Sequence, residues 1–180
     1  MRRPNSCAWR ALGFLGVLAV LAVPAAGAAE PATPVRIGGA QHWDAYSFTD
    51  KSGKVCYLVG RPEKSEPASL KRGRVDALVT HRPKEKSFDV VNFDAGYALK
   101  PNSNAELTID GRKFTLFTHQ DSAWTQNAAT DKAVTEAMAK GRHAVFKGTS
   151  AQGVVATDSY SLDGFGDALA AIDKACGVKH

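Results

Sequence analysis

The dipeptide Asp110-Gly111, set between two segments that alternate apolar and polar side chains, constrains the fold more than any other feature. Both residues tolerate the positive φ angles of a type I′ turn, which joins adjacent antiparallel strands. Residues 105–109 and 113–118 place their apolar side chains at every second position, as a sheet with one buried face requires. The sequence therefore predicts a β-hairpin at this point and a sheet around it.

Other short segments with strand character recur along the chain between clusters of turn residues. The predicted strands occupy residues 43–48, 54–60, 74–80, 88–93, 143–147 and 154–162. Residues 61–73, which are rich in proline and charged side chains, predict a polar loop. The aromatic side chains of the first two strands, Tyr46 and Tyr57 among them, are interpreted as core packing.

Two segments near the C-terminus change to helical spacing. Residues 131–140 predict a helix capped by Thr130, and the run from Phe165 to Cys176 predicts a second helix with Asp163 as its cap. The chain is therefore predicted to be mainly β (α+β), an antiparallel β-sandwich or open barrel of about seven or eight short strands with two short helices in its C-terminal third.

The N-terminus has the three regions of a cleavable secretory signal peptide. A basic start that includes Arg2, Arg3 and Arg10 leads into residues 11–23, which are all apolar or glycine. Small residues follow, and we predict cleavage after Ala28. The apolar run is shorter than the roughly 20 residues of a spanning helix, which argues against a membrane anchor.

Export defines the predicted domains and the compartment. Residues 1–28 are the signal peptide, residues 29–41 a flexible leader, and residues 42–180 a single β-rich domain. We expect the general secretory route to deliver the protein to the periplasm, with secretion or attachment to the outer surface as alternatives. No stable membrane span is expected after cleavage.

The positive charge of the whole chain overstates that of the exported protein. The sequence has 23 basic and 18 acidic residues. Arg2, Arg3 and Arg10 leave with the signal peptide, so 20 basic residues remain against the same 18 acidic ones. A nucleic-acid-binding protein needs a concentrated basic patch, and this residual excess is spread along the chain. The composition therefore argues against a nucleic-acid partner.

Two cysteines, Cys56 and Cys176, remain after cleavage. An even pair in an oxidising compartment predicts one disulfide. Cys56 lies in an apolar run typical of a core strand, without the neighbouring base that a thiol nucleophile requires. We therefore predict a structural disulfide between Cys56 and Cys176.

The sequence contains no recognisable catalytic, metal or cofactor site. The five histidines lack zinc-site spacing and are interpreted as surface or edge residues. Ser150 is not in a nucleophile elbow, and no glycine-rich phosphate loop is present. The candidate binding residues are Trp124, His81 and Arg82. Trp124 lies in a polar connection, where it either folds under as a plug, the favoured reading, or anchors a ligand.

Several short motifs in a fixed order resemble the invasion-associated locus B family of alphaproteobacteria. They are Trp43 and Tyr46, Lys54-Val55-Cys56-Tyr57, Thr80-His81-Arg82-Pro83, Gly96-Tyr97, Trp124, Tyr160-Ser161-Leu162-Asp163-Gly164-Phe165, Ala168 and Cys176. The resemblance covers essentially the whole exported chain. It implies a small exported β-rich protein that is not an enzyme and has no cofactor, and it supports the Cys56–Cys176 pairing.

These observations favour a non-enzymatic binding or interaction module in the periplasm. Its expected partner is an envelope protein or a cell-wall component. A surface adhesion or host-cell invasion factor is the alternative function, and a small periplasmic hydrolase or thiol-redox enzyme is a third, less favoured one. No feature of the sequence identifies the ligand.

Overall fold

The computed structural model describes residues 33–179, so the signal peptide predicted for residues 1–28 lies outside the described residues. Eleven strands, two α-helices and a 3-10 turn at Pro83–Glu85 follow one another in this part of the chain. The strands are β1 (Val35–Ala40), β2 (Trp43–Asp50), β3 (Gly53–Gly60), β4 (Lys64–Glu66), β5 (Asp76–Arg82), β6 (Ser87–Asp94), β7 (Asn104–Ile109), β8 (Arg112–His119), β9 (Ser122–Trp124), β10 (His143–Thr149) and β11 (Val155–Ser161). The helices are α1 (Ala128–Lys140) and α2 (Phe165–Cys176).

All eleven strands belong to one open antiparallel sheet in the order β1-β2-β3-β5-β6-β9-β8-β7-β10-β11-β4. Most neighbours in the sheet are also close in sequence, whereas β6–β9 and β7–β10 are longer-range pairings. The mainly β class, the antiparallel pairing and the two helices in the C-terminal third are confirmed, and the predicted sandwich or open barrel takes the form of one open sheet.

The strand count is higher than the predicted seven or eight because three strands lie in segments predicted to be irregular. Strand β1 occupies residues 35–40, so the predicted flexible leader over 29–41 is wrong for those positions. Strand β4 lies in the predicted polar loop, and β9 in the polar connection that contains Trp124. Strands β4 and β9 have three residues each, too few for a period of two to appear in the sequence.

The predicted hairpin at Asp110-Gly111 is confirmed. Strands β7 and β8 pair directly up to Ile109 and Arg112, and both turn residues have positive φ angles, 44° and 90°. The Asp110 carboxylate also accepts hydrogen bonds from the backbone N–H groups of Arg142 and His143. Those hydrogen bonds favour the ionised carboxylate and lower the pKa of Asp110.

The core lies between the sheet and the helices. Trp43 packs edge-to-face on Phe165 of α2, with ring centroids 4.9 Å apart, and its indole N–H donates to the carbonyl of Ser161 at 2.9 Å. Helix α2 covers β1, β2, β3 and β5, and α1 packs on β6. Within residues 33–179, neither helix is long and apolar enough to cross a bilayer. We call the covered side of these strands the helix side and the opposite side the outer face.

Candidate functional site

The predicted disulfide is present in the structure. Cys56 in β3 and Cys176 at the end of α2 are bonded, with Cα atoms 6.1 Å apart and 120 positions between them in the sequence. Cys56 is fully buried on the helix side. Because the bond occupies both sulfurs, neither is a thiolate nucleophile in this state. The bridge ties the C-terminal helix to the middle of the sheet.

His81 belongs to the structural framework around this disulfide. It lies opposite Cys56 in the register of β3 and β5 and is fully buried, so its interpretation as a surface or edge residue is wrong. Its Nδ1 accepts a hydrogen bond from the Asp89 backbone N–H at 3.0 Å. Nε2 therefore carries the proton and donates to Asp173 of α2 at 2.8 Å. The side chain fastens α2 and the start of β6 to the sheet.

Arg82 and Trp124 lie in different parts of the sheet. Arg82 ends β5, where its Nη1 is 3.2 Å from Asp50 in a surface ion pair. Trp124 in β9 pairs with Asn92 of β6, which in turn pairs with Leu78 of β5. Leu78 is four residues along β5 from Arg82, about 13 Å at the rise of a strand. The structure therefore does not gather His81, Arg82 and Trp124 into one site.

Trp124 instead belongs to a row of side chains that crosses the outer face. The pairings place Val59, Leu78, Asn92, Trp124 and Phe117 directly opposite one another on β3, β5, β6, β9 and β8. Residues paired in this way project to the same face of a sheet. Four strand spacings separate the first from the last, or about 19 Å. We call these five residues the outer strip.

The outer strip is open to solvent along most of its length. Phe117 is 42% exposed, and Val59, Leu78 and Trp124 are half-buried. Trp124 is thus neither a loop plug nor fully exposed, because it is part of a short strand with one accessible side. A half-buried tryptophan beside an exposed phenylalanine is the composition of a binding surface rather than of a core.

A groove of about 680 Å³ adjoins the Val59 end of the strip. Tyr46 of β2 and Tyr57 of β3 stack there, with ring centroids 5.4 Å apart and planes 18° from parallel. Phe48 packs on the edge of this pair, 6.2 Å from Tyr57. Partial burial and the neighbouring phenol of Tyr46 raise the pKa of Tyr57, so the Tyr57 hydroxyl is neutral at physiological pH and can donate a hydrogen bond. We call this the tyrosine groove.

The charged side chains around the tyrosine groove neutralise one another. Three ion-pair clusters account for them: Arg36 with Asp44 at 2.7 Å, His42 with Glu63 at 3.5 Å, and both Arg61 and Arg74 with Asp76. Three guanidinium groups and three carboxylates therefore surround the groove, and their formal charges sum to zero when His42 is left out of the count. The groove therefore has many hydrogen-bonding atoms but no excess charge of either sign.

The interpretation of Tyr46 and Tyr57 as core residues is wrong. They project to the outer face, while Trp43, Ala45, Cys56 and Leu58 fill the helix side. The period-two alternation was present in the sequence, since each tyrosine is next to a small or apolar residue that is buried. What the sequence could not show is that both helices of residues 33–179 pack on the opposite side of these strands.

A buried ion pair lies on the opposite edge of the sheet. The Arg72 guanidinium donates to Asp158 of β11 at 2.7 Å and to the backbone carbonyl of Glu66 at 2.7 Å, and it stacks over the ring of Tyr97 at 5.2 Å. Asp158 is fully buried, and burial raises its pKa against the lowering effect of Ser65 and Arg72. The pair attaches the segment before β5 to the sheet.

Within residues 33–179 no group of three or more His, Cys, Asp or Glu side chains is arranged to hold a metal ion. The outer face, with its accessible aromatic side chains and paired polar groups, is suited to binding through aromatic surfaces and hydrogen bonds.

Comparison with known proteins gives one family. The model of the family described as "Invasion associated locus B (IalB) protein" matches residues 43–173. That range begins at the core tryptophan Trp43 and ends at Asp173, a partner of His81, so it contains the outer strip and the stacked pair Tyr46–Tyr57. No significant match was found among curated proteins or among solved structures. Because the family model covers well over half of the chain, this protein belongs to the invasion-associated locus B family.

Proposed function

We propose that the protein is an exported, non-enzymatic binding module of the bacterial envelope, and that it binds its partner through the outer strip and the tyrosine groove. The observation that carries the proposal is the uncovered outer face. Both helices pack on the other side of the sheet, yet the outer face holds Trp124, Phe117 and the stacked pair Tyr46–Tyr57. Large accessible aromatic side chains in a row mark a binding surface.

Two features support export to the periplasm. The first 28 residues have the basic, apolar and small-residue regions of a signal peptide. The disulfide between Cys56 and Cys176 is stable in an oxidising compartment such as the periplasm and uncommon in the cytosol. The disulfide also speaks against a thiol-redox function, because it is a buried connection between β3 and α2.

The chain offers a closely matched pair of variants for testing the binding face. Phe117 is 42% exposed in the outer strip, and Phe88 is 38% exposed on the helix side, in a groove beside α1 and Val178. Phe117→Ala and Phe88→Ala thus remove equal amounts of accessible aromatic surface. We expect cross-linking in periplasmic extract to capture a partner with the wild type and F88A, and far less with F117A. Equal capture by the two variants would refute the outer face as the binding site.

A surface adhesion or invasion factor is the second candidate function, favoured by the family's description as invasion associated. The two candidates differ in where the folded protein is exposed. Protease treatment of intact cells leaves a periplasmic protein whole and degrades one on the outer surface. Lysis before treatment provides the control for intrinsic protease resistance.

A further inference from the structure

We propose that the ligand of the outer strip and the tyrosine groove is the glycan strand of the cell wall, bound as a chain of sugar rings. This inference rests on the proposed function, since it names the chemical class that the same face accepts. Three properties of the face carry it: the spacing of its aromatic side chains, the polar groups between them and the balance of charge.

The aromatic side chains are arranged for a long, thin ligand. Phe117 and Trp124 lie at one end of a row about 19 Å long, and the tyrosine pair lies beside its other end. The groove at the tyrosine end has a volume of about 680 Å³, enough for one or two sugar rings. A single small molecule would leave most of this row uncovered, whereas a linear polymer contacts all of it.

The side chains match the two kinds of surface on a pyranose ring. A sugar ring has apolar C–H faces and a rim of hydroxyl groups, and tyrosine and tryptophan likewise combine an apolar ring with a polar tip. Beside the aromatic groups lies the half-buried carboxylate of Asp94, which accepts hydrogen bonds from the buried amide of Asn92 and from the hydroxyl of Ser122. Side chains of this type exchange hydrogen bonds with hydroxyl and acetamido groups.

The balance of charge favours a neutral chain over a polyanion or a basic peptide. The groove is surrounded by three guanidinium groups and three carboxylates: Arg36 pairs with Asp44 at 2.7 Å, Arg61 and Arg74 share Asp76, and Glu63 lies beside His42. Strong attraction of a polyanion needs an excess of positive charge, which this face lacks.

A protein partner fits this face less well. The central part of a protein interface is depleted of charged residues. Here Asp94 and Ser122, both half-buried, pair across β6 and β9 in the row directly beside the outer strip, whereas Asp76 and Asn92 are buried. Accessible polar groups therefore lie one row from the aromatic side chains, which leaves only a narrow apolar surface for a protein partner.

The test uses the exported protein with its disulfide intact and two probes. Purified peptidoglycan sacculi are sedimented with the protein, and peptide-free strands of N-acetylglucosamine, which carry no carboxylate, are titrated into it by calorimetry. We expect both probes to bind the wild type. F117A and Tyr57→Ala should weaken binding roughly tenfold, the effect of truncating an aromatic anchor, and F88A should leave it unchanged. Tyr57→Phe keeps the ring and should bind more tightly than Y57A. Thermal unfolding of each variant verifies that it is folded.

The outcomes separate the ligand class from the proposed function. If neither probe binds the wild type while F117A still loses a partner from periplasmic extract, the ligand is a protein, the glycan inference is wrong and the proposed function stands. If nothing binds from any source, both are wrong. Binding of sacculi without binding of peptide-free strands would assign recognition to the peptide stems and overturn the inference. Equal losses in F117A and F88A would also overturn it.

Discussion

Replacing Arg72 with methionine tests how strongly the buried ion pair holds the segment before β5. The Arg72 side chain is 9% exposed and that of Asp158 is fully buried, with 2.7 Å between Nη1 and Oδ1. Methionine fills a similar volume but leaves the Asp158 carboxylate without its cation. Removal of one member of a buried pair costs about 3–5 kcal/mol, because the remaining charge is left uncompensated. We expect R72M to lose about this much stability at neutral pH.

The loss should depend on pH in a defined direction. Burial raises the pKa of Asp158, and Arg72 opposes that effect, so its removal raises the pKa further. The pKa of Asp158 is about 4 in the unfolded chain and higher in the folded protein. At pH values between the two, the folded state keeps a proton on Asp158 that the unfolded state has lost, so the stability of the fold decreases as the pH rises. This range extends to higher pH in R72M. The deficit of R72M should therefore be smallest near pH 4 and largest at pH 7.

Urea unfolding followed by tryptophan fluorescence at several pH values measures this deficit. Arg36→Met is the matched control, because Arg36 also lies 2.7 Å from its carboxylate but both side chains are about half exposed. A surface pair of this kind is worth about 0–1 kcal/mol. The reasoning is refuted if R72M loses no more stability than R36M, or if its deficit does not shrink as the pH falls. The double variant R72M/Asp158→Leu should recover most of the loss, since it removes the unpaired charge.

Three further predictions concern the framework of the fold. Replacing both Cys56 and Cys176 with alanine should lower the free energy of unfolding by about 4–5 kcal/mol on the chain-entropy model. Urea unfolding measures this loss, and an unchanged urea midpoint would contradict a structural disulfide. Asn127→Ala removes the side-chain cap of α1 and should cost about 1 kcal/mol, seen as a lower Tm. Gly111→Ala should lower the free energy of unfolding by about 1–2 kcal/mol, because the φ angle of Gly111 is 90°. Gly166→Ala should raise it by about 0.4–1 kcal/mol, because Gly166 lies in α2 with open space around it. The opposite order of stability would contradict the assigned backbone conformations.

The sequence signals that proved correct are local ones. The Asp110-Gly111 turn was predicted because both residues accept positive φ angles and the flanking residues alternate. The second helix was predicted from the spacing of its apolar residues, although its N-cap is Gly164 instead of Asp163. The first helix is capped by Asn127 instead of Thr130, because the helix begins three residues earlier than its apolar pattern does.

The candidate site was only partly accessible to sequence analysis. Trp124 was identified as a binding candidate, but the segment around it forms β9 by pairing with β6 and β8, which are distant in sequence. His81 was also selected, yet its environment is the disulfide and α2. Phe117 and the outward orientation of Tyr57 were missed, because the alternation of a strand defines two faces and does not say which one is covered.

The sequence by itself determined the mainly β class, the hairpin at Asp110-Gly111 and the two C-terminal helices, because turn chemistry and hydrophobic period depend only on neighbouring residues. It also contained the pairing of Cys56 with Cys176, since no other cysteine remains after the predicted cleavage. Only the tertiary structure decided the rest. The register of β3, β5, β6, β9 and β8 aligns residues from Val59 to Trp124 in one row, and the packing of both helices on the other side leaves that row accessible. Register and layer packing arise from contacts between distant segments, which no local pattern encodes.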